Sequence, residues 1–274
     1  MAIKQLHGTA LAVSFALSAS VQSAMGSTPH PVLRAASAEP ATVFVSGNTL
    51  RYVGKFSAAS TQAFKAATSS IERGRLKRIV ISSAGGVTTD AREVATWVHD
   101  MGLVVEVDTV CFSSCANYVF PAGKARIIRK NAFVGWHGNE RGMAIEALRK
   151  GGTLKEEFRN TLPPDILEKP PEVLAAYVDQ LVESATASHR DEAAFYAKLG
   201  LNDAFSVCAV GSVAFAKYPG LETKRGWGFS IKDMNRLGLT NISYLGKGRY
   251  EQDSKYFKKY LELLGAHDCW SWLK

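Results

Sequence analysis

Apolar and polar positions alternate along residues 42–54 (TVFVSGNTLRYVG) around Asn48, a pattern that predicts two short strands joined by a tight turn. From Ser57 to about Arg73 the spacing becomes helical, with Ser57 placed to cap the first turn and Gly74 to stop the last. RIVISS at 78–83 is a short β-branched apolar run, the mark of a buried strand. A second helix follows through Met101, capped by Thr88 or Thr89 and ended by Gly102. LVVEV at 103–107, ARIIR at 125–129 and AFVGW at 132–136 complete the strands. A short helix lies among them, from near Ser114 to Pro121 or Ala122. Strand, helix, strand, helix, strand at this spacing predicts an α/β fold with parallel pairing and right-handed crossovers.

Beyond residue 137 the pattern changes. Residues 138–225 hold helical stretches at 143–150 and about 171–199, broken by GG, LPP and KPP, and read as a helical elaboration of a domain spanning 42–249. The segment 229–242 predicts a helix stopped by Gly238 and then a strand. Residues 250–274 predict a C-terminal amphipathic helix or tail that includes Cys269, Trp270 and Trp272. At the other end, Lys4 precedes the apolar run TALAVSFALSASV at 9–21. Val21 and Ser23 are small enough for cleavage after Ser23 or near Ala24. That is the layout of a secretory signal peptide over 1–24, with an apolar core too short to cross a bilayer. Residues 25–41, rich in Pro, Ser and Ala, read as a flexible leader. No later stretch reaches the ~18 apolar residues of a membrane span.

Composition sharpens this in three places. At 46% hydrophobic and 21% charged, the chain is neither disordered nor collagen-like, and 274 residues suffice for one large core. The net charge of +8 is scattered over short groups such as RIIRK at 126–130 and KYFKK at 255–259, with no basic run of five, so nucleic acid is not an expected partner. Four cysteines, Cys111, Cys115, Cys208 and Cys269, in an exported chain suggest disulfides, with three connectivities open. Neither CxxC pairs nor closely spaced histidines are present, so no metal is expected. The expected location is the periplasm or outside the cell.

Candidate chemistry lies between Gly85 and His137. A strand ends in Ala84-Gly85-Gly86, whose backbone N–H groups can approach a ligand closely. Ser113-Ser114-Cys115 opens a helix, where free N–H groups favour negative charge and a serine can neighbour its own oxyanion donor. An apolar strand then delivers His137 between Trp136 and Gly138. Taken singly, Gly85-Gly86 reads as a turn, Ser113 and Ser114 as helix caps, and His137 as a core histidine. Their order along the chain favours a site.

In these residues the sequence resembles the Clp protease proteolytic-subunit family, within the wider Clp/crotonase fold. The family pattern is a strand ending in Ser-Pro-Gly-Gly, a nucleophilic serine nine residues before Ala-Gly, and a strand-borne histidine about two dozen residues after the serine. The matches are Ser83-Ala84-Gly85-Gly86, Ser114 nine before Gly123, and His137. The Cys-x-Ser-x-Cys setting is closer to exported Clp-like proteins than to the cytoplasmic protease. The resemblance covers about 44–137, with a weaker echo at 229–242. It implies a Clp/crotonase-like ββα superhelix with a helical insertion and a C-terminal helix. It further implies Ser114 as nucleophile, His137 as base, and an oxyanion hole from the N–H groups of Gly86 and Cys115. No cofactor is implied, and a homo-oligomer is. Ala84 replaces the family's proline. Gly226 falls in the slot of its catalytic aspartate, with Glu222 and Asp233 the nearest acids. The third catalytic residue is therefore open among Glu222, Asp191 and Asp203, or a backbone carbonyl could orient His137 instead.

The expectation is an exported serine hydrolase, above all a peptidase, acting on a peptide or ester. Its rival is a non-catalytic binding or scaffold protein that has lost the acid. Acyl-CoA chemistry of the crotonase kind is a third reading, against which export argues.

Overall fold

The computed structural model describes residues 31–210 and 212–271. The signal peptide expected over 1–24, the leader up to residue 30, and Trp272 lie outside the described residues.

β1 (Thr42–Ser46) and β2 (Thr49–Val53) form an antiparallel hairpin that turns through Gly47, at φ 58°, and Asn48. From β2 onward the pairing is parallel, through β3 (Arg78–Ser83), β4 (Val104–Phe112) and β5 (Ala125–Ile128). β6 (Phe133–Gly135) pairs with the C-terminal end of β4. β7 (Gly226–Phe229) leaves for a second sheet, while β8 (Ile242–Tyr244) closes the first against β5. Helices α1 (Pro31–Ala36), α2 (Ala58–Thr68) and α3 (Thr88–Asp100) flank the first strands. After β4, a π-helical turn over Cys115–Val119 runs into α4 (Phe120–Ala122). This is the α/β class that the alternation predicts.

The physical reasons are those read from the sequence. β3 is buried from Ile79 to Ser83 on both faces, as a central parallel strand must be. Ile79, Ile81, Val105 and Val107 meet Leu50, Tyr52, Val94 and Val98 in one core. Ser57 caps α2 by accepting the N–H of Ser60. Neither Thr88 nor Thr89 caps α3; Val87 holds the cap position without a side-chain bond.

The helical insertion comprises α5 (Glu140–Arg149), α6 (Leu154–Thr161), α7 (Pro164–Leu167), α8 (Pro171–Leu199), α9 (Ala204–Val207) and α10 (Ser212–Lys217). Phe158, Leu174, Val178, Leu181 and Ala185 give it a small core of its own. The other half of α8 packs through Phe195 and Tyr196 into the main core.

Two further expectations are corrected. The flexible leader is ordered from Pro31: Leu33 and Ala36 are buried, the Ala36 carbonyl accepts the N–H of Ala84, and the Ala41 N–H reaches Ser60 Oγ at 2.8 Å. The C-terminal tail is not one helix. α11 (Ile231–Arg236) ends at Gly238 as expected, but α12 (Tyr250–Asp253) and α13 (Lys255–Tyr260) give way to β9 (Leu261–Leu264), followed by α14 (Ala266–Ser271). Ser254 sets the break: it caps α13 through the Phe257 N–H and donates to the Ala132 carbonyl. The extended chain beyond buries Leu261 and Leu264 by pairing with β7. Among the described residues no helix is long and apolar enough to cross a membrane.

Candidate active site

The site forms where β3, β4 and β6 end. Beyond β3, Ser83 Oγ accepts the Gly85 N–H at 3.1 Å, and the chain turns through Gly85 at φ 99° and Gly86 at φ 137°. Only glycine fits: a Cβ on Gly85 would lie 2.6 Å from Ser113 Cβ, and one on Gly86 would lie 2.6 Å from the Phe56 nitrogen. Phe56 bridges to this turn, donating to the Gly85 carbonyl and accepting from Val87. In such a parallel bridge Gly86 turns its own N–H and C=O to the opposite side, toward the end of β4. There its carbonyl accepts the Ser114 hydroxyl at 2.7 Å.

Ser113 is the side chain that faces His137: its Oγ lies 2.7 Å from the histidine Nε2. Ser113 adopts φ 58°, a left-handed conformation rare outside glycine and concentrated at functional positions. Three ties hold it. Its N–H donates to the Gly135 carbonyl at 3.0 Å, its carbonyl accepts the Asn117 N–H at 2.8 Å, and the Cys111–Cys115 disulfide brackets it.

The pairing expected between Ser114 and His137 is thus not the one formed. Ser114 is only 2% exposed, and its hydroxyl is committed to Gly86. The cause is the π turn, in which the Phe120 N–H bonds the Cys115 carbonyl five residues back. Counting nine residues back from Gly123 assumes an α-helix. A π turn takes up one extra residue, so the position facing the histidine falls ten back, at Ser113. The first N–H beyond that residue is Ser114's, not Cys115's, and Cys115 carries no free thiol.

His137 follows β6. Trp136, just before it, exchanges two backbone bonds with Trp227, of 2.9 and 2.8 Å. The imidazole lies tilted on the Phe112 ring, centroids 5.2 Å apart. The residue reaches solvent, yet the protein packed around the ring pushes its pKa below the ordinary value of 6.5, opposed by a hydrogen bond to its own carbonyl. The ring is therefore neutral at pH 7, and with its proton on Nδ1 it offers Nε2 to take a proton from Ser113.

None of the three acids expected as third member meets His137. Asp203 pairs with Arg141, Asp191 is 72% exposed beside Arg92, and Glu222 is exposed at the end of a 3₁₀ turn, Pro219–Glu222. Asp233 bonds Ser230 and Arg236. Gly226 does lie against the histidine: a Cβ there would be 3.3 Å from His137 Cβ and would collide with the Trp136 carbonyl. The slot is closed to any side chain. The acid that sequence reading missed is Glu192, one residue from Asp191, which accepts hydrogen bonds from Tyr118 and Asn139. Its signal was present: it falls on the apolar stripe of α8 with Leu174, Val178, Leu181, Ala185, Phe195 and Tyr196. All four cysteines are paired, the second disulfide joining Cys208 to Cys269.

No protein-family model matches the chain, and no curated protein matches it. Among solved structures it is similar to Pseudomonas aeruginosa DspI, at 13% identity and a TM-score of 0.28, over 36% of this chain and 53% of that one. An enoyl-CoA hydratase from Mycobacterium avium subsp. paratuberculosis gives 13% identity and 0.32, over 60% and 85%. One from Thermoplasma volcanium gives 14% and 0.31, over 59% and 92%. The chain spans about half the length of the first of these. Likeness at this level identifies neither family nor activity.

Proposed function

We propose that this protein is an exported serine hydrolase working through a Ser113–His137 pair. The observation that carries the reading is the 2.7 Å contact between His137 Nε2 and the Oγ of a serine in left-handed conformation at a strand-to-helix junction. Ser113 Oγ attacks the carbonyl of a peptide or ester while His137 takes its proton. The N–H groups of Gly86 and Ser114 receive the developing oxyanion, and Ser114, through its bond to the Gly86 carbonyl, fixes one donor relative to the other. The tetrahedral adduct collapses to an acyl-serine, the leaving group takes the proton from His137, and water attacks in a second half-reaction. No cofactor enters. In the serine-protease triad the orienting acid is worth up to about 10⁴ in rate, so slow turnover is expected of a pair without one. The signal-like N-terminus and the two disulfides support a periplasmic or secreted location. Homo-oligomerisation rests on the family resemblance.

Fluorophosphonate labelling of the mature protein tests this. Labelling is expected in wild type and in Ser114→Ala, and lost in Ser113→Ala and His137→Ala. Labelling that survives Ser113→Ala refutes the assignment. An unlabelled, folded wild type favours the scaffold reading, which the closed Gly226 slot supports.

A further inference from the structure

Glu192 occupies a place where a carboxylate needs a reason. It is 2% exposed on the apolar stripe of α8, and a buried carboxylate persists only where donors converge on it. Two of its donors come from the two halves of the candidate site. Oε1 accepts the Tyr118 hydroxyl at 2.9 Å and the Asn139 side-chain amide at 2.8 Å. Tyr118 stands on the π turn five residues after Ser113. Asn139 stands two residues after His137 and caps α5 through the Gly142 N–H at 3.1 Å. One oxygen on the helical insertion thus bridges the segment bearing the serine and the segment bearing the histidine. Neighbouring contacts brace the bridge. Tyr196, one helical turn on, donates to the Asn117 carbonyl at 2.7 Å, the Asn139 amide also reaches Ser206 Oγ at 3.3 Å, and Arg92 of α3 lies over the Tyr118 ring.

We infer that Glu192 is a positioning residue that sets the separation of Ser113 and His137. The inference rests on the reading of that pair as the site. Glu192 touches neither reacting side chain and acts through Tyr118 and Asn139. The insertion that carries it is then part of the site's frame.

Three substitutions separate this role from plain packing. Glu192→Gln keeps an acceptor oxygen at the bridge. Glu192→Leu fills the space without one. Asn139→Ser preserves the cap of α5 but is too short to reach Glu192. Two readouts apply: the fluorophosphonate labelling rate at Ser113, and the His137 imidazole resonances, assigned by His137→Gln. Glu192→Gln is expected within about threefold of wild type. Glu192→Leu and Asn139→Ser are expected to slow labelling roughly tenfold or more while melting cooperatively, because small misplacements of reacting groups are costly. Their His137 resonances should move toward those of Ser113→Ala, and the double variant should be no slower than the worse single one. Folded Glu192→Leu or Asn139→Ser that labels at the wild-type rate with unmoved resonances overturns the inference. If Glu192→Leu does not fold, Asn139→Ser decides alone. If wild type itself is not labelled, the hydrolase reading fails, and the His137 resonances alone decide: moved in Glu192→Leu or Asn139→Ser they uphold the bridge, unmoved they overturn it.

Discussion

Removing the two disulfides one at a time should produce opposite effects on stability and on the site. Cys111 and Cys115 are four residues apart, Cys208 and Cys269 sixty-one. In the chain-entropy account, the short loop contributes about 2 kcal/mol to folding and the long one about 4 kcal/mol. Cys208→Ala/Cys269→Ala should therefore cost about twice as much stability, measured as the unfolding free energy extrapolated to zero urea, because the freed unfolded chain also raises m. The local consequence runs the other way. Ser113 holds a conformation that costs a non-glycine residue roughly 1–2 kcal/mol, and the short bridge closes around it. Without that bridge Ser113 can relax. A loss of about 1.4 kcal/mol in the reactive population is a tenfold loss in rate, so Cys111→Ala/Cys115→Ala should label about ten times more slowly in urea-free buffer. The long bridge ties α9 to α14, and its loss should leave labelling of the folded protein within about twofold of wild type. Wild-type labelling by Cys111→Ala/Cys115→Ala, with the fold retained, would refute the argument that the short bridge holds Ser113.

Three further outcomes are expected. Gly86→Ala, with φ 137° and Phe56 backbone atoms in the way, should lose about 3 kcal/mol or more of stability and all labelling; a variant melting like wild type would contradict the close approach. Tyr250→Phe removes the hydroxyl that accepts the buried Val134 N–H at 2.7 Å, one residue before the Gly135 carbonyl that holds Ser113. Its calorimetric melt should show a loss of about 1–3 kcal/mol, and no loss would mean that the N–H finds another acceptor. In the proposed mechanism neutral His137 is the active form, and its pKa is lowered, so the acid limb of the pH–labelling profile should lie below 6.5; a limb centred above 6.5 would refute the desolvated setting.

The central strand was legible because its burial is two-sided: RIVISS, an unbroken β-branched run, is β3 to the residue. The hairpin around Asn48 and the stop at Gly238 were legible because turn chemistry is local. The tail was not, since KYFKKYLELL has helical and extended readings of similar quality and β7, a strand distant in sequence, decides between them. The docking of Pro31–Ala36 escaped for the same reason: its partners, Ala84 and the end of β3, lie far along the chain. Within the site, Gly85-Gly86, the serine pair and His137 were found together, but the choice between two adjacent serines turned on a hydrogen-bond register that composition does not encode. Glu192 was passed over for its neighbour Asp191 because the candidates were not weighed against the apolar face of α8, on which Glu192 falls and Asp191 does not.

The π turn makes the pair of serines a two-position selector. Each residue advances an α-helix by about 100°, so one residue more or less between the serines and the anchored end at Gly123, which abuts Val105, decides which hydroxyl meets the imidazole. In the present register Ser113 is presented and Ser114 is a tether. With an all-α register in the same chain, the roles would pass to Ser114 and Cys115. Shortening the helix by one residue between Cys115 and Phe120 would regularise it and leave Ser113 presented. The bulge thus absorbs one residue of length inside the turn, so that Ser113 stays opposite the imidazole and the sheet beneath is undisturbed.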